Sequence, residues 1–308
     1  MKQSRRTGHL AALFTIVIWS TTYIATKVLL RSFSPVEILF IRFVIGYAAL
    51  LVACPQRLGK TTGKQELLFA GAGLCGVSAY YLLENVALTY TMASNVGVVL
   101  SAAPFFTAIV IHLFVREDER FHWNFLFGFL IALAGISLIS FNGTQLQLNP
   151  LGDFLAVLAA LGWAFYSLFL RRIGEYGFPT ILVTRRIFRY GLLFLLPALP
   201  FFEVRLDVSR FAAPENFLNL IFLGFGASAI CFVTWNYAVK VIGPVKSNLY
   251  IYLSPVITVL ASSILLQEPV TPLAVLGTVL CLSGLVISEY QPRRTGAIVS
   301  RNRKPEEL

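Results

Sequence analysis

Apolar runs of about 20 residues recur along the chain, separated by short segments that carry most of its charge. Each run is long enough to cross a hydrocarbon core of roughly 30 Å as a helix. The runs are continuous, not alternating. That favours helices over a barrel, whose strands would repeat every second residue, and a helix satisfies its own backbone hydrogen bonds in lipid. The pattern predicts spans at His9 to Leu29, Pro35 to Ala53, Glu66 to Leu88, Met92 to Phe114 and His122 to Phe141. Five more follow at Pro150 to Leu170, Pro179 to Phe202, Glu215 to Val239, Pro244 to Leu266 and Val270 to Glu289. The expected fold class is an all-α membrane protein with ten transmembrane helices.

Composition agrees with this reading. The chain is 57% hydrophobic and 13% charged, with a mean hydropathy of +0.74, whereas soluble domains are about a quarter charged. Net charge is +10, but the basic residues are scattered among short loops and form no stripe, so a nucleic-acid partner is not expected. Their distribution sets orientation instead. With a cytoplasmic N-terminus, the inner segments hold seventeen Lys and Arg residues, while the outer loops hold only Arg31, Arg205 and Arg210, with Lys27 near the outer end of the first span. The positive-inside rule then places both termini in the cytoplasm of a bacterial inner-membrane protein. The first span is long and lacks a small-x-small site, unlike a cleaved signal peptide. Cys54, Cys75, Cys231 and Cys281 form no CxxC pair and lie near no His cluster, so they read as small packing residues; neither metal nor cofactor is expected.

The chain also repeats itself. At an offset of 144, Gly8, Trp19, Pro35 and Arg42 fall on Gly152, Trp163, Pro179 and Arg186. At 151, Asn85, Ala87, Pro104 and Glu117 fall on Asn236, Ala238, Pro255 and Glu268; at 149, Gly128 and Gly135 fall on Gly277 and Gly284. Residues 9–141 and 150–290 therefore read as two five-helix repeats, followed by a basic, disordered cytoplasmic tail at 291–308. Five is odd, so the second copy enters the membrane from the opposite side, the arrangement that makes inward- and outward-open states nearly equivalent.

On Trp19 and Trp163, Pro104 and Pro255, Glu117 and Glu268, and the ten duplicated spans, the chain resembles the EamA-type drug/metabolite transporter superfamily over nearly its whole length. The resemblance implies a central cavity lined largely by the third, fourth, eighth and ninth helices, and a role in metabolite export.

Ionisable residues within spans are costly and ask for a partner or a function. Glu84 is the sharpest case, and Arg42 lies at a similar depth. A structural ion pair between them is one reading; uptake of a proton or contact with a substrate amine by Glu84 is the other. Arg186 reads either as the scaffold counterpart of Arg42 or as an attractor for an anionic or zwitterionic substrate. Arg186 and Arg189 share a helix face, with Arg185 turned about 100° away, either toward lipid headgroups or marking the true helix boundary. Pro104 and Pro255 are the expected hinges near mid-span. Asn85, Asn236, Asn95, Ser101, Asn248 and Tyr252 are polar candidates for the cavity, and Tyr80, Trp235, Tyr250 and Tyr252 could stack on a planar substrate, although interfacial anchoring and lipid packing account for most membrane aromatics. Glu117 and Glu268 read as helix-terminus residues, while Lys246 and His112 read as interfacial. Four glycines, Gly128, Gly135, Gly277 and Gly284, are expected at close helix contacts.

The function expected from these residues is secondary transport of a small organic metabolite, such as an amino acid or related compound, outward by alternating access, with protons as the candidate coupling ion. No P-loop is present to drive primary transport. A membrane-embedded enzyme or a channel is the alternative; the sequence offers the enzyme no metal cluster and no nucleophile with a base at recognisable spacing.

Overall fold

A computed structural model of the 308-residue chain describes residues 5–90, 96, 99–115, 123–140, 149–201, 207, 209–265 and 271–289, and the regular structure among the described residues is helical with no strand. Four helical segments, Pro35–Ala53, Gly63–Ala87, Pro150–Gly174 and Pro214–Ile242, are long and apolar enough to cross a membrane. Shorter apolar helices cover Ala103–Phe114, Trp123–Leu138 and Pro272–Ser288. Many large apolar side chains stand exposed on the outside, Val52 and Phe201 each by more than four-fifths, as a surface in contact with lipid requires. Glu117, Glu268, Asn95 and the tail at 291–308 lie outside the described residues.

The chain opens with α1 (Arg5–Leu29) and α2 (Pro35–Ala53). Ser34 begins α2 with a capping box, accepting from the Glu37 amide while the Glu37 carboxylate accepts from the Ser34 amide. Next come α3 (Gly63–Gly73), a π-helical segment (Leu74–Ala79) and α4 (Tyr80–Tyr90), in one continuous rod capped by a second box at Thr62 and Gln65. The first half ends with α5 (Ala103–Phe114) and α6 (Trp123–Ser140). The second half runs through α7 (Pro150–Gly174), α8 (Thr180–Leu195) with a 3-10 extension to Phe201, a short α9 (Ser209–Ala212), and α10 (Pro214–Ile221). A second π segment (Phe222–Ile230) joins α10 to α11 (Cys231–Ile242). Then follow α12 (Pro244–Leu249), a 3-10 turn (Tyr250–Leu253), α13 (Ser254–Leu265) and α14 (Pro272–Glu289).

The two π segments were not foreseen. Both are rich in Gly, Ala and Ser, and each faces the second helix of the other half: α2 packs on Phe222–Ile230 and α8 on Leu74–Ala79. The remaining cross-contacts exchange in the same manner, since α1 packs on α11 and α7 on α4, while α1 also meets α13 and α7 meets α5. Ser78 donates to the Gly191 carbonyl at 2.7 Å, and Ser228 accepts from Arg42 Nε at 3.0 Å, so each π segment uses a serine to hold the opposing helix.

The expected mid-helix hinges are placed differently. Pro104 lies in the first turn of α5, after a turn at Ser101–Ala102, and Pro255 is the second residue of α13, after the 3-10 turn. A proline in the first helical turn removes no intrahelical bond. The interruption therefore precedes the proline, and each helix restarts on it.

The most extensive contact between helices joins α6 to α14. A Cβ added to Gly135 would lie 2.5 Å from the Gly277 carbonyl oxygen, and one on Gly284 would lie 2.5 Å from both Ala132 N and Gly128 O. Backbones this close exclude even a methyl group. Gly284→Ala is expected to destabilise the protein by about 1–3 kcal/mol through overpacking, measured by unfolding in detergent. Gly226→Ala, whose Cβ would meet its own helix at an ordinary 3.5 Å, should cost much less.

Candidate functional site

At the centre of the bundle, three indole rings meet. Trp19 of α1 and its repeat counterpart Trp163 of α7 have ring centroids 5.6 Å apart, edge to face. Trp235 of α11 lies 5.3 Å from Trp19 and 5.8 Å from Trp163, and Tyr80 of α4 lies 5.1 Å from Trp163. These separations are those of favourable aromatic pairs. Trp19 Nε1 donates to the Ala227 carbonyl at 2.8 Å and Trp163 Nε1 to Asn248 Oδ1 at 2.8 Å. Trp235 is fully buried, and among the described residues its Nε1 has no hydrogen-bond partner.

Glu84 follows Tyr80 by one turn of α4. It is 8% exposed and, among the described residues, its Oε2 has no hydrogen-bond partner; Tyr80 hydrogen-bonds to the carboxylate, and the Arg42 charge lies near it. No ion pair joins Glu84 to Arg42. The Arg42 guanidinium is occupied elsewhere, donating to Ser228 and lying 4.9 Å from the Tyr81 ring centroid and 5.4 Å from that of Phe43. A cation over aromatic faces is stabilised without a carboxylate, which leaves Glu84 as a buried acid with an unused acceptor.

The other polar candidates divide. Asn236 is tied into the scaffold, accepting from the Tyr166 hydroxyl at 2.6 Å and donating to Thr184 at 2.9 Å. Asn248 is likewise occupied, accepting from Trp163 and donating to Ser167 at 3.1 Å and to the Pro244 carbonyl at 2.8 Å. Asn85 makes a long contact of 3.5 Å to the Pro35 carbonyl. Ser101 is buried at the turn before α5. Tyr252 is 1% exposed with a hydroxyl that has no partner among the described residues, but it packs with Phe105 and Phe129 in a cluster separate from that of the tryptophans. Tyr250 pairs with His9 Nδ1 at 2.8 Å.

Arg186 pairs with Glu66 at the start of α3 at 2.8 Å, and the same carboxylate accepts from Thr61 and from the Tyr190 hydroxyl at 2.5 Å. Arg42 and Arg186 thus share a repeat position but not a kind of partner. Arg185 does not turn toward headgroups. It is buried and donates to the carbonyls of Cys54, the C-cap of α2, and of Gln56 just beyond it, where the helix end carries its negative dipole. At the opposite end of α2, Arg210 pairs with Glu37 at 3.0 Å and donates to the Ser32 carbonyl at 2.7 Å. The hydrogen bond to Glu37 raises the Arg210 pKa above its ordinary value. Among the described residues no group of His, Cys, Asp and Glu is arranged to hold a metal.

Residues not singled out from sequence complete the centre: Tyr81 beneath Arg42, and Tyr166 and Thr184 on Asn236. Trp19 and Trp163 had been landmarks of the repeat only. Their matching positions in the sequence repeat were nonetheless the available signal.

A family model described as the EamA-like transporter family matches residues 6–141 and again 150–290. An uncharacterized transporter of Archaeoglobus fulgidus is 29% identical, aligned over 89% of this chain and 95% of its own. A probable amino-acid metabolite efflux pump of Escherichia coli is 28% identical over 96% of this chain and 98% of its own. A probable terminal-alkyne amino-acid exporter of Streptantibioticus cattleyicolor is 24% identical over 90% and 91%. A crystal structure shares the fold with a TM-score of 0.76 at 22% identity, covering 93% of this chain and 97% of that one.

Proposed function

Because the chain belongs to the EamA-like transporter family, we propose that it exports a small amino-acid-type metabolite by alternating access at the tryptophan cluster. Ten spans form two five-helix copies inserted in opposite senses, with both termini in the cytoplasm of a bacterial inner membrane. Two observations support the duplication: the family model matches twice, and the contacts between the halves exchange when the halves are exchanged.

The observation that carries the substrate reading is the pairing of an aromatic cluster with an unpartnered carboxylate. Trp19, Trp163, Trp235 and Tyr80 offer faces to an apolar side chain or a cation. Glu84 supplies an anionic acceptor for the substrate amine, or for a coupling proton when the substrate has left. Names of two relatives point to amino acids. Movement is assigned to the interruptions ahead of Pro104 and Pro255, where the helices restart and few intrahelical bonds need to break.

The test is counterflow in proteoliposomes of the purified protein. Saturable exchange of a labelled amino acid against its unlabelled form is the expected result. Ohmic current would indicate a channel and chemical turnover an enzyme; either would overturn the carrier reading.

A further inference from the structure

On the outer side of the α2–α8 contact lies an open groove of about 210 Å³, walled by Phe40, Val44, Leu192 and Leu196 and containing Tyr47 and Arg189. The two helices run in opposite directions, since Arg185 near the start of α8 bonds to carbonyls at the end of α2. Tyr47 and Arg189 therefore lie toward the end where α8 begins, and Phe40 and Leu196 toward the other. Arg189 is exposed while Ile187 and Phe188 beside it are buried.

An exposed guanidinium on an apolar wall is costly without an anion. The nearby carboxylate of Glu66 feels the Arg189 charge, but its oxygens are already taken by Thr61, Arg186 and Tyr190. Arg185 is satisfied by backbone carbonyls. Among the described residues, Arg189 has neither a hydrogen bond nor an ion pair. It lies one helical turn, about 6 Å along the axis, beyond Arg185, which sits at the level where α2 ends, and its side chain leans back toward that end. A headgroup phosphate at the membrane boundary is then within its reach.

We propose that the groove holds one anionic phospholipid from the leaflet at the start of α8, with its phosphate on Arg189 and an acyl chain along Val44, Leu192, Phe40 and Leu196. The charge of Arg189 selects the headgroup, and the apolar wall selects a lipid over a free anion. The inference rests on the reading that α2 and α8 lie in the bilayer, but not on what is transported.

Native mass spectrometry tests it with palmitoyl-oleoyl phosphatidylglycerol and the matching phosphatidylcholine. The wild-type protein should retain one phosphatidylglycerol about fivefold more tightly, the contribution of one basic residue near an anionic headgroup. Arg189→Gln should bring the two lipids to parity, while Lys246→Gln, an exposed cation elsewhere, should change nothing. Val44→Trp fills the groove without altering charge and should release the lipid, so the proposal stays testable if Arg189→Gln does not fold. No preference in the wild type, a preference that survives Arg189→Gln or Val44→Trp, or equal competition by glycerol 3-phosphate would overturn it. Counterflow that persists while the preference is absent defeats the lipid site alone. Lost counterflow with the preference intact defeats the transport reading alone.

Discussion

Glu84→Gln is expected to raise the KM for an α-amino acid by about 10- to 100-fold, the range for one hydrogen bond to a charged partner. The change keeps the shape of the side chain and removes only its charge. Because Oε2 has no partner among the described residues, no ion pair holds Arg42 to Glu84, and a glutamine keeps an oxygen to accept the Tyr80 hydrogen bond, expression should be normal. A deaminated analogue of the same substrate should be exchanged alike by both proteins, which separates loss of the amine contact from general damage. The check is proteoliposome counterflow with both compounds. An unchanged KM for the amino acid would remove Glu84 from substrate recognition.

Arg210→Ala should have the largest effect on stability among single charge removals. Glu37 is 4% exposed and Arg210 13%, and the same guanidinium lies 4.6 Å from the Phe33 ring centroid. Truncation leaves a buried carboxylate facing an apolar ring. The pair lies near an end of the bundle where water is close, so the expected loss is about 1–3 kcal/mol, that of one unsatisfied buried polar group. Glu37→Gln in the Arg210→Ala background should recover most of it, because a glutamine at this position still closes the capping box at Ser34 but carries no charge. Unfolding in denaturing detergent measures both. No recovery in the double variant would mean that Arg210 acts through packing on Phe33 and not through its charge.

Four spans, Pro35–Ala53, Gly63–Ala87, Pro150–Gly174 and Pro214–Ile242, are legible in the sequence because length and hydropathy fix a membrane helix with little reference to its neighbours. Pro35–Ala53 matches the expected segment at both ends, and the other described helices fall within or beside an expected run except the short α9 at Ser209–Ala212, which lies where a loop is expected. What escaped were features set by packing between the halves. The π segments at Leu74–Ala79 and Phe222–Ile230 leave only a trace of small residues, since the extra backbone turn is stabilised by the opposing helix. Arg42 was compared with Glu84 because both are ionisable and similar in depth, yet depth says nothing about rotation. The structure gives Arg42 to Ser228 and Tyr81 from two different helices. Asn236 and Asn248 were read as cavity residues from their polarity, but a buried amide first satisfies its own hydrogen bonds, and Tyr166, Thr184, Trp163 and Ser167 do that here.

Everything proposed about transport depends on two oppositely inserted copies. Reporter fusions after residue 145, in the link between the halves, and at the two chain ends measure this directly, with alkaline phosphatase active only outside and green fluorescent protein fluorescent only inside. The account predicts both ends in the cytoplasm and the link outside. Ends on opposite faces, or a link on the same side as the ends, would contradict it.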